Sequence, residues 1–306
     1  MNPRCELVRF EATDGVALAG LLFEPSRKSK SVVIFLHGTG GSSVFESKRT
    51  NVLAAEFVRA GVAYFPFNNR GAHVMRRAGN AMIGCSFERI RDCVFDIDGA
   101  VRELRRRGYR DITLAGHSTG ANKIAVYDHY KPRNFVKRYV LLGGGDDTGL
   151  LYRDLGPPRF QAALKKARAM IKARRGDELV PPSIHELPMS WRAFYDMANP
   201  DGDYNVFPIL ETMRGLRLSR RPRFRYLRAI RKPALFLYGE NDEYCIDSAS
   251  ATVAVLADAL PNAELAILAD ADHGFGGKET ELAQAILWSA GGRAGGCGGV
   301  PRRRAG

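Results

Sequence analysis

The sequence is short of the features that mark several large classes of protein. Cysteine is scarce and unsuited to cross-linking: five residues, at 5, 85, 93, 245 and 297, an odd number with no C-x-x-C pair. That pattern excludes a disulfide framework and a zinc site and fits reduced thiols. No stretch approaches the ~18 continuous apolar residues of a membrane-spanning helix. The opening Met1-Asn2-Pro3-Arg4-Cys5-Glu6 has no apolar segment of the secretory kind. The expectation is a cytoplasmic protein with no transmembrane segment. Internal repeats are missing. So are G-K-[ST] and G-x-G-x-x-G, which argues against a nucleotide-phosphate loop.

Acidic residues are also in deficit, and the deficit is local. The chain of 306 residues has a net charge of +13. Between 146 and 232, 18 Lys and Arg stand against 10 Asp and Glu, and 290–306 adds four Arg and no acid, which together account for all but one of those charges. Such an excess is read first as solvated helix faces, and secondly as an attraction for an anionic ligand. No aromatic-interleaved basic signature or recognition helix is present, so nucleic acid is not expected as a partner.

What is present is enough hydrophobic material, 45% of the residues, for a substantial core. Residues 6–10 and 16–23 read as two strands around Asp14-Gly15, a hairpin. From Val32-Val33-Ile34-Phe35-Leu36 onward, short apolar strands alternate with helical segments: 51–60, 62–67, 87–107, 112–115, 123–130 and 139–142. This rhythm predicts an α/β fold, a doubly wound and mostly parallel sheet. It breaks after Gly143-Gly144-Gly145 and resumes at 233, with strands 234–238 and 263–268 and helices 248–259 and 279–288. The expected organisation is therefore a core of 1–145 and 233–289, a helical insertion over 146–232, and a disordered basic tail over 290–306.

The chemistry concentrates in three places. Gly116-His117-Ser118-Thr119-Gly120 follows a strand and opens a helix, the setting of a nucleophile elbow, where small flanking residues let a serine sit on a strained turn. A serine hydroxyl needs a base, and the base needs a carboxylate to orient it. His273, in Asp272-His273-Gly274-Phe275 after the last strand, is the candidate base. Glu240, Asp242, Glu243, Asp247, Asp270 and Asp272 are all candidate acids, with Asp242 preferred because it lies a few residues past a strand end. The loop His37-Gly38-Thr39-Gly40-Gly41 follows the first buried strand, so the Thr39 and Thr119 amides are candidates for an oxyanion hole. His37 and His117 read as supports for their loops. Trp191, Phe194, Tyr195 and Tyr204 are candidate substrate-binding residues, although aromatics at that spacing also serve as an insertion's own core. No metal site and no cofactor are expected.

Taken together, the H-G-T-G-G loop, the G-H-S-T-G elbow, Asp242 after its strand and the late D-H-G resemble the α/β-hydrolase superfamily over roughly residues 5–289. Within it, Ser190-Trp191-Arg192, Gly202-Asp203-Tyr204 and Asn241-Asp242-Glu243-Tyr244 are similar to the branch that includes fungal siderophore esterases. The resemblance implies a Ser118-Asp242-His273 hydrolase with a helical cap, here 146–232, acting as a serine esterase on small or compact esters, and the basic cap points to anionic ones. An amidase, thioesterase or acyltransferase with the same triad stays open, as do a non-catalytic ligand-binding relative and homo-oligomerisation.

Overall fold

The computed structural model describes residues 4–40, 42–79, 81–289 and 302–303. Strands β1 (Arg4–Glu11) and β2 (Ala17–Glu24) form the antiparallel hairpin, turning at Gly15 with φ +87°. There follow β3 (Ser31–Leu36), α1 (Lys48–Arg59), β4 (Ala63–Asn68), a small hairpin of β5 (Arg76–Ala78) and β6 (Ala81–Ile83), α2 (Cys93–Arg106), β7 (Asp111–His117), α3 (Thr119–Tyr130) and β8 (Arg138–Leu142). Four helices come next, α4 (Asp147–Leu155), α5 (Pro157–Lys172), α6 (Trp191–Ala198) and α7 (Ile209–Met213). The chain closes with β9 (Ala234–Gly239), α8 (Ala249–Ala259), β10 (Glu264–Leu268), α9 (Glu279–Ser289) and the two-residue β11 (Arg302–Arg303).

The main sheet runs β1-β2-β4-β3-β7-β8-β9-β10-β11 and is parallel from β4 to β10. Alternate residues of each central strand enter different cores. Ile34, Leu36, Phe65, Phe67, Ile112 and Leu114 pack with α2 and α3 residues on one face, while Val33, Phe35, Tyr64 and Ala115 pack with α1 and α9 residues on the other. Burial on both faces explains why these strands are continuous apolar runs rather than alternating ones. The tail expected to be disordered lies outside the described residues apart from Arg302–Arg303, which pairs antiparallel with β10.

From β3 the chain first moves to β4 on one side and then to β7 on the other. The strand order therefore reverses at β3, and the crevice beyond the carboxyl ends of β3 and β7 is where such sheets bind ligands. The register sets Leu36 opposite Gly116, so the loops that follow the two strands leave the sheet side by side. Helix α2 starts at Cys93, after a 3-10 turn at Ile90–Asp92 and later than the expected 87–107, and Glu88 ahead of it is turned inward. Its carboxylate lies 2.7 Å from Lys123 Nζ, deep beneath α3, and Lys123 also donates to Asn69 Oδ1 at 3.1 Å. Gly71 leaves the room, since a Cβ there would overlap the Glu88 carboxyl.

A buried charge without its partner is costly, so Lys123→Met is expected to destabilise the protein by about 3–5 kcal/mol in urea denaturation, with the double variant Lys123→Met/Glu88→Leu recovering most of that loss. A single variant as stable as the wild type would show that the pair carries no such weight.

Candidate functional site

Ser118 sits between β7 and α3 with φ +58° and ψ −128°, a left-handed conformation disfavoured for a residue with a side chain. Three features hold it there. The Ser118 amide donates to the Leu142 carbonyl at 2.8 Å. A Cβ at Gly116 would come 2.3 Å from the Gly120 carbonyl oxygen, and one at Gly120 would come 2.6 Å from that of Leu36. Only glycine permits so tight a crossing of strand, turn and helix at both places.

His273 stands on the loop after β10. Its Nδ1 donates to Asp242, with 2.9 Å to Oδ1 and 3.0 Å to Oδ2, and the Asp242 side chain is almost fully enclosed. The loops after β9 and β10 are laced together to hold this pair. The Asn241 amide donates to Ala271 O at 2.8 Å, the Asp270 amide to Glu240 Oε2 at 3.0 Å, and the His273 amide to Glu243 Oε2 at 3.1 Å. Gly239 allows the approach, because its Cβ would lie 2.5 Å from the carbonyls of Ala271 and Asp272. Asp272, beside His273 in sequence, instead accepts from the Gly276 amide at 2.9 Å. Asp247 pairs with Arg214 on the surface.

His117 supports this loop from the other side. Its Nε2 donates to the His273 carbonyl at 2.7 Å and its Nδ1 faces Arg49 Nη2 at 3.4 Å, while Arg49 Nη1 donates to Gly274 O at 2.7 Å. Burial first, then the charges of Arg49 and His273, hold the His117 ring well below its ordinary pKa. His37 donates from Nδ1 to Gly38 O at 2.7 Å, and burial, then the nearby Lys123, lowers it to about 3. Both rings are thus neutral spacers.

Ser118 and His273 open on one cavity of ≈ 690 Å³, within the range of ligand pockets. Thr39 and Thr119 line it, with Thr39 Oγ1 donating to Thr119 Oγ1 at 2.9 Å. Thr119 is the first residue of α3, where amides have no intrahelical acceptor. Gly38 packs directly on the serine, and a Cβ there would stand 2.8 Å from Ser118 Cβ. From the segment between β8 and β9 come Asp147, Leu150, Met189, Met197 and Tyr204, whose hydroxyl lies 3.5 Å from Thr39 Oγ1.

Of the four aromatics singled out in that segment, only Tyr204 lines the cavity. Trp191 and Phe194 are buried in an edge-to-face pair on the apolar face of α6, which packs on α5, and Tyr195 accepts from Arg168 Nε at 3.0 Å. Their amphipathic spacing serves the packing of the segment itself. Sequence reasoning had no grip on Asp147, since Asp146 and Asp147 are equivalent in the chain and only the start of α4 separates them. Asp146 caps α4, accepting from the amides of Gly149 and Leu210, while Asp147 lines the cavity. The basic excess of 146–232 stops short of the site: none of its Lys or Arg lines the cavity, where the one arginine among the described residues is Arg49.

The family model of the alpha/beta hydrolases matches residues 33–285, most of the chain. The chain belongs to the alpha/beta hydrolase family. Solved structures share its fold at low identity. GrgF, an alpha/beta hydrolase from Penicillium sp. sh18, is 18% identical with a TM-score of 0.65, over 94% of this chain and 99% of that one. Est1E from Butyrivibrio proteoclasticus, solved with ferulic acid bound, is 16% identical with a TM-score of 0.60, over 91% and 96%. The carboxylesterase CesB from Bacillus subtilis is 16% identical with a TM-score of 0.54, over 97% and 93%. No curated protein sequence matches the chain. In this alpha/beta hydrolase no described helix is long and apolar enough to cross a membrane, and no group of three or more described His, Cys, Asp or Glu side chains is placed to hold a metal ion.

The neutrality of His117 is open to a direct check. Nitrogen NMR at about pH 6 is expected to show an uncharged ring with its proton on Nε2, whereas an imidazolium at residue 117 would contradict the hydrogen bonding described.

Proposed function

We propose that this alpha/beta hydrolase is a serine carboxylesterase for small or compact esters, with Ser118 as nucleophile, His273 as base and Asp242 as the orienting acid. The observation that carries the proposal is the bond from His273 Nδ1 to both Asp242 oxygens, which assigns the ring's proton to that side and leaves Nε2 as the basic nitrogen in a cavity shared with Ser118. The esterases among the solved relatives support it.

In this reading Ser118 Oγ attacks the ester carbonyl as its proton passes to His273 Nε2. The oxyanion is held by the Thr39 and Thr119 amides, worth about 3–4 kcal/mol each at such a site. Collapse expels the alcohol, which takes the proton from His273 and leaves an acyl group on Ser118. Water then attacks, giving its proton to His273, and the carboxylic acid departs as the serine is restored. The Asp242 carboxylate stabilises the imidazolium in both steps. The residues of 146–232 that wall the cavity act as a cap over the acyl group, and its volume suits compact acyl chains. The protein is proposed to act in the cytoplasm.

Of the residues that carry the likeness to siderophore esterases, Tyr204 and Tyr244 line the cavity and Asp242 bonds His273, whereas Ser190, Trp191, Arg192, Gly202 and Asp203 do not line it, and the likeness narrows the substrate no further.

A series of p-nitrophenyl esters of rising acyl length, set beside an anilide and a thioester, is expected to show kcat/KM greatest for short esters. Ser118→Ala should abolish turnover, and Asp242→Asn should lower kcat by about 10⁴, the cost of losing the correct tautomer. Full activity in Ser118→Ala would overturn the proposal, and an undiminished Asp242→Asn would remove that residue from its role.

A further inference from the structure

The cavity lining contains two carboxyls that the proposed mechanism does not use, Glu46, which is exposed at the solvent side, and Asp147, which is not. Asp147, the first residue of α4, lines the same wall as Ser118, His273 and Tyr204. The Asp242 carboxylate already occupies His273 Nδ1, so Asp147 is not the orienting acid. Its side-chain hydrogen-bond partner is the neutral amide of Asn122, whose Nδ2 donates to Oδ2 at 3.2 Å. Asn122 sits one turn beyond Ser118 on α3 and also holds the Gly145 backbone, by Nδ2 to the carbonyl at 2.9 Å and by Oδ1 from the amide at 3.3 Å. The nucleophile's own helix thereby places the Asp147 carboxyl.

A half-buried carboxyl whose side-chain hydrogen bond comes from a neutral amide gains from a cationic partner, because charge pairs are weakly screened in a cleft. Arg49, the arginine of the lining, is spent on Gly274 O and His117, and the imidazole that acts on Asp147, His273, is the base of the proposed mechanism. The enclosure shows in its acidity, since burial pushes Asp147 up to about 6 against the pull of the His273 imidazole. Tyr204 adds an aromatic ring beside it, and its hydroxyl is close enough to feel the Asp147 charge. A carboxylate flanked by an aromatic ring is a binding environment for an ammonium group.

We infer that Asp147 selects esters carrying an ammonium or amine group on the acyl side, close to the scissile carbonyl, and disfavours anionic esters. The inference rests on the esterase reading above and narrows its substrate class. It also reverses the expectation drawn from net charge, because the basic residues of the segment lie on its surface and the group that faces the substrate is acidic.

The test compares p-nitrophenyl esters of three acids of matched shape: trimethylammonio-butanoic acid, its neutral isostere with a tert-butyl group, and glutaric acid as the hemiester. In the wild type, kcat/KM for the cationic ester is expected to exceed that for the neutral one by about tenfold, and the anionic ester to trail it by a similar factor, as for a partly desolvated charge pair. In Asp147→Asn and Asp147→Ser both ratios should fall to about one; because each ratio is taken within one enzyme, any general loss of activity cancels. Ratios near one in the wild type, or ratios that persist in both variants, would overturn the inference while leaving the esterase standing. If none of the esters is hydrolysed, the esterase reading fails instead, and calorimetry decides on Asp147. The p-nitroanilides of the same acids are then titrated into Ser118→Ala and Ser118→Ala/Asp147→Asn. Tighter binding of the cationic anilide, lost in the double variant, supports the selection by Asp147, and equal binding of all three refutes it.

Discussion

A serine held at φ +58° has a cost of about 1–3 kcal/mol, and the centre of this sheet is arranged to sustain it. The conformation persists because it is determined from several directions at once. β7 delivers the chain, the Leu142 carbonyl takes the Ser118 amide, and Gly116 and Gly120 let the strand and helix backbones touch. Placement of the hydroxyl thus depends on the core rather than on a mobile loop. The β3–β7 register adds the other half, since it sets the Gly38-Thr39 loop against the serine before any substrate arrives. The same economy of glycine recurs at Gly239, which brings the His273 loop onto the Asp242 loop.

Much of this was legible in the chain. Strands buried on both faces must be apolar throughout, so β3, β4, β7 and β9 stand out as runs, and glycines flanking a serine after such a run mark a turn. What stayed hidden was side-chain direction. Glu88 belongs to a stretch that reads as helix, yet it turns inward to Lys123, and α2 starts only at Cys93. Trp191 and Phe194 have a spacing that suits a pocket wall or a helix core equally well, and tertiary packing chose the core. Asp146 and Asp147 are equivalent in the chain, and the start of α4 between them separates a helix cap from a cavity wall.

Charge is the signal least legible from the chain. An excess of arginine and lysine over 146–232 suggests an anionic ligand when counted by segment. In the fold those side chains form surface pairs such as Arg175 with Glu178 and Arg220 with Asp201, or face solvent, and exposed pairs of that kind contribute little. On the inference drawn above, the Asp147 carboxyl at the cavity wall outweighs them for anything bound there, since screening is weaker inside a cleft than outside it. Net charge describes what the surface attracts, and the lining describes what the site holds.

The central claim is that one hydroxyl, at residue 118, is made nucleophilic by His273 and Asp242. It is tested most directly by a fluorophosphonate probe followed by intact-mass measurement and peptide mapping. The account predicts a single adduct on the peptide containing Ser118, formed rapidly in the wild type and at a small fraction of that rate in His273→Ala. An unlabelled protein, an adduct on another residue, or labelling unaffected by the loss of the imidazole would contradict it.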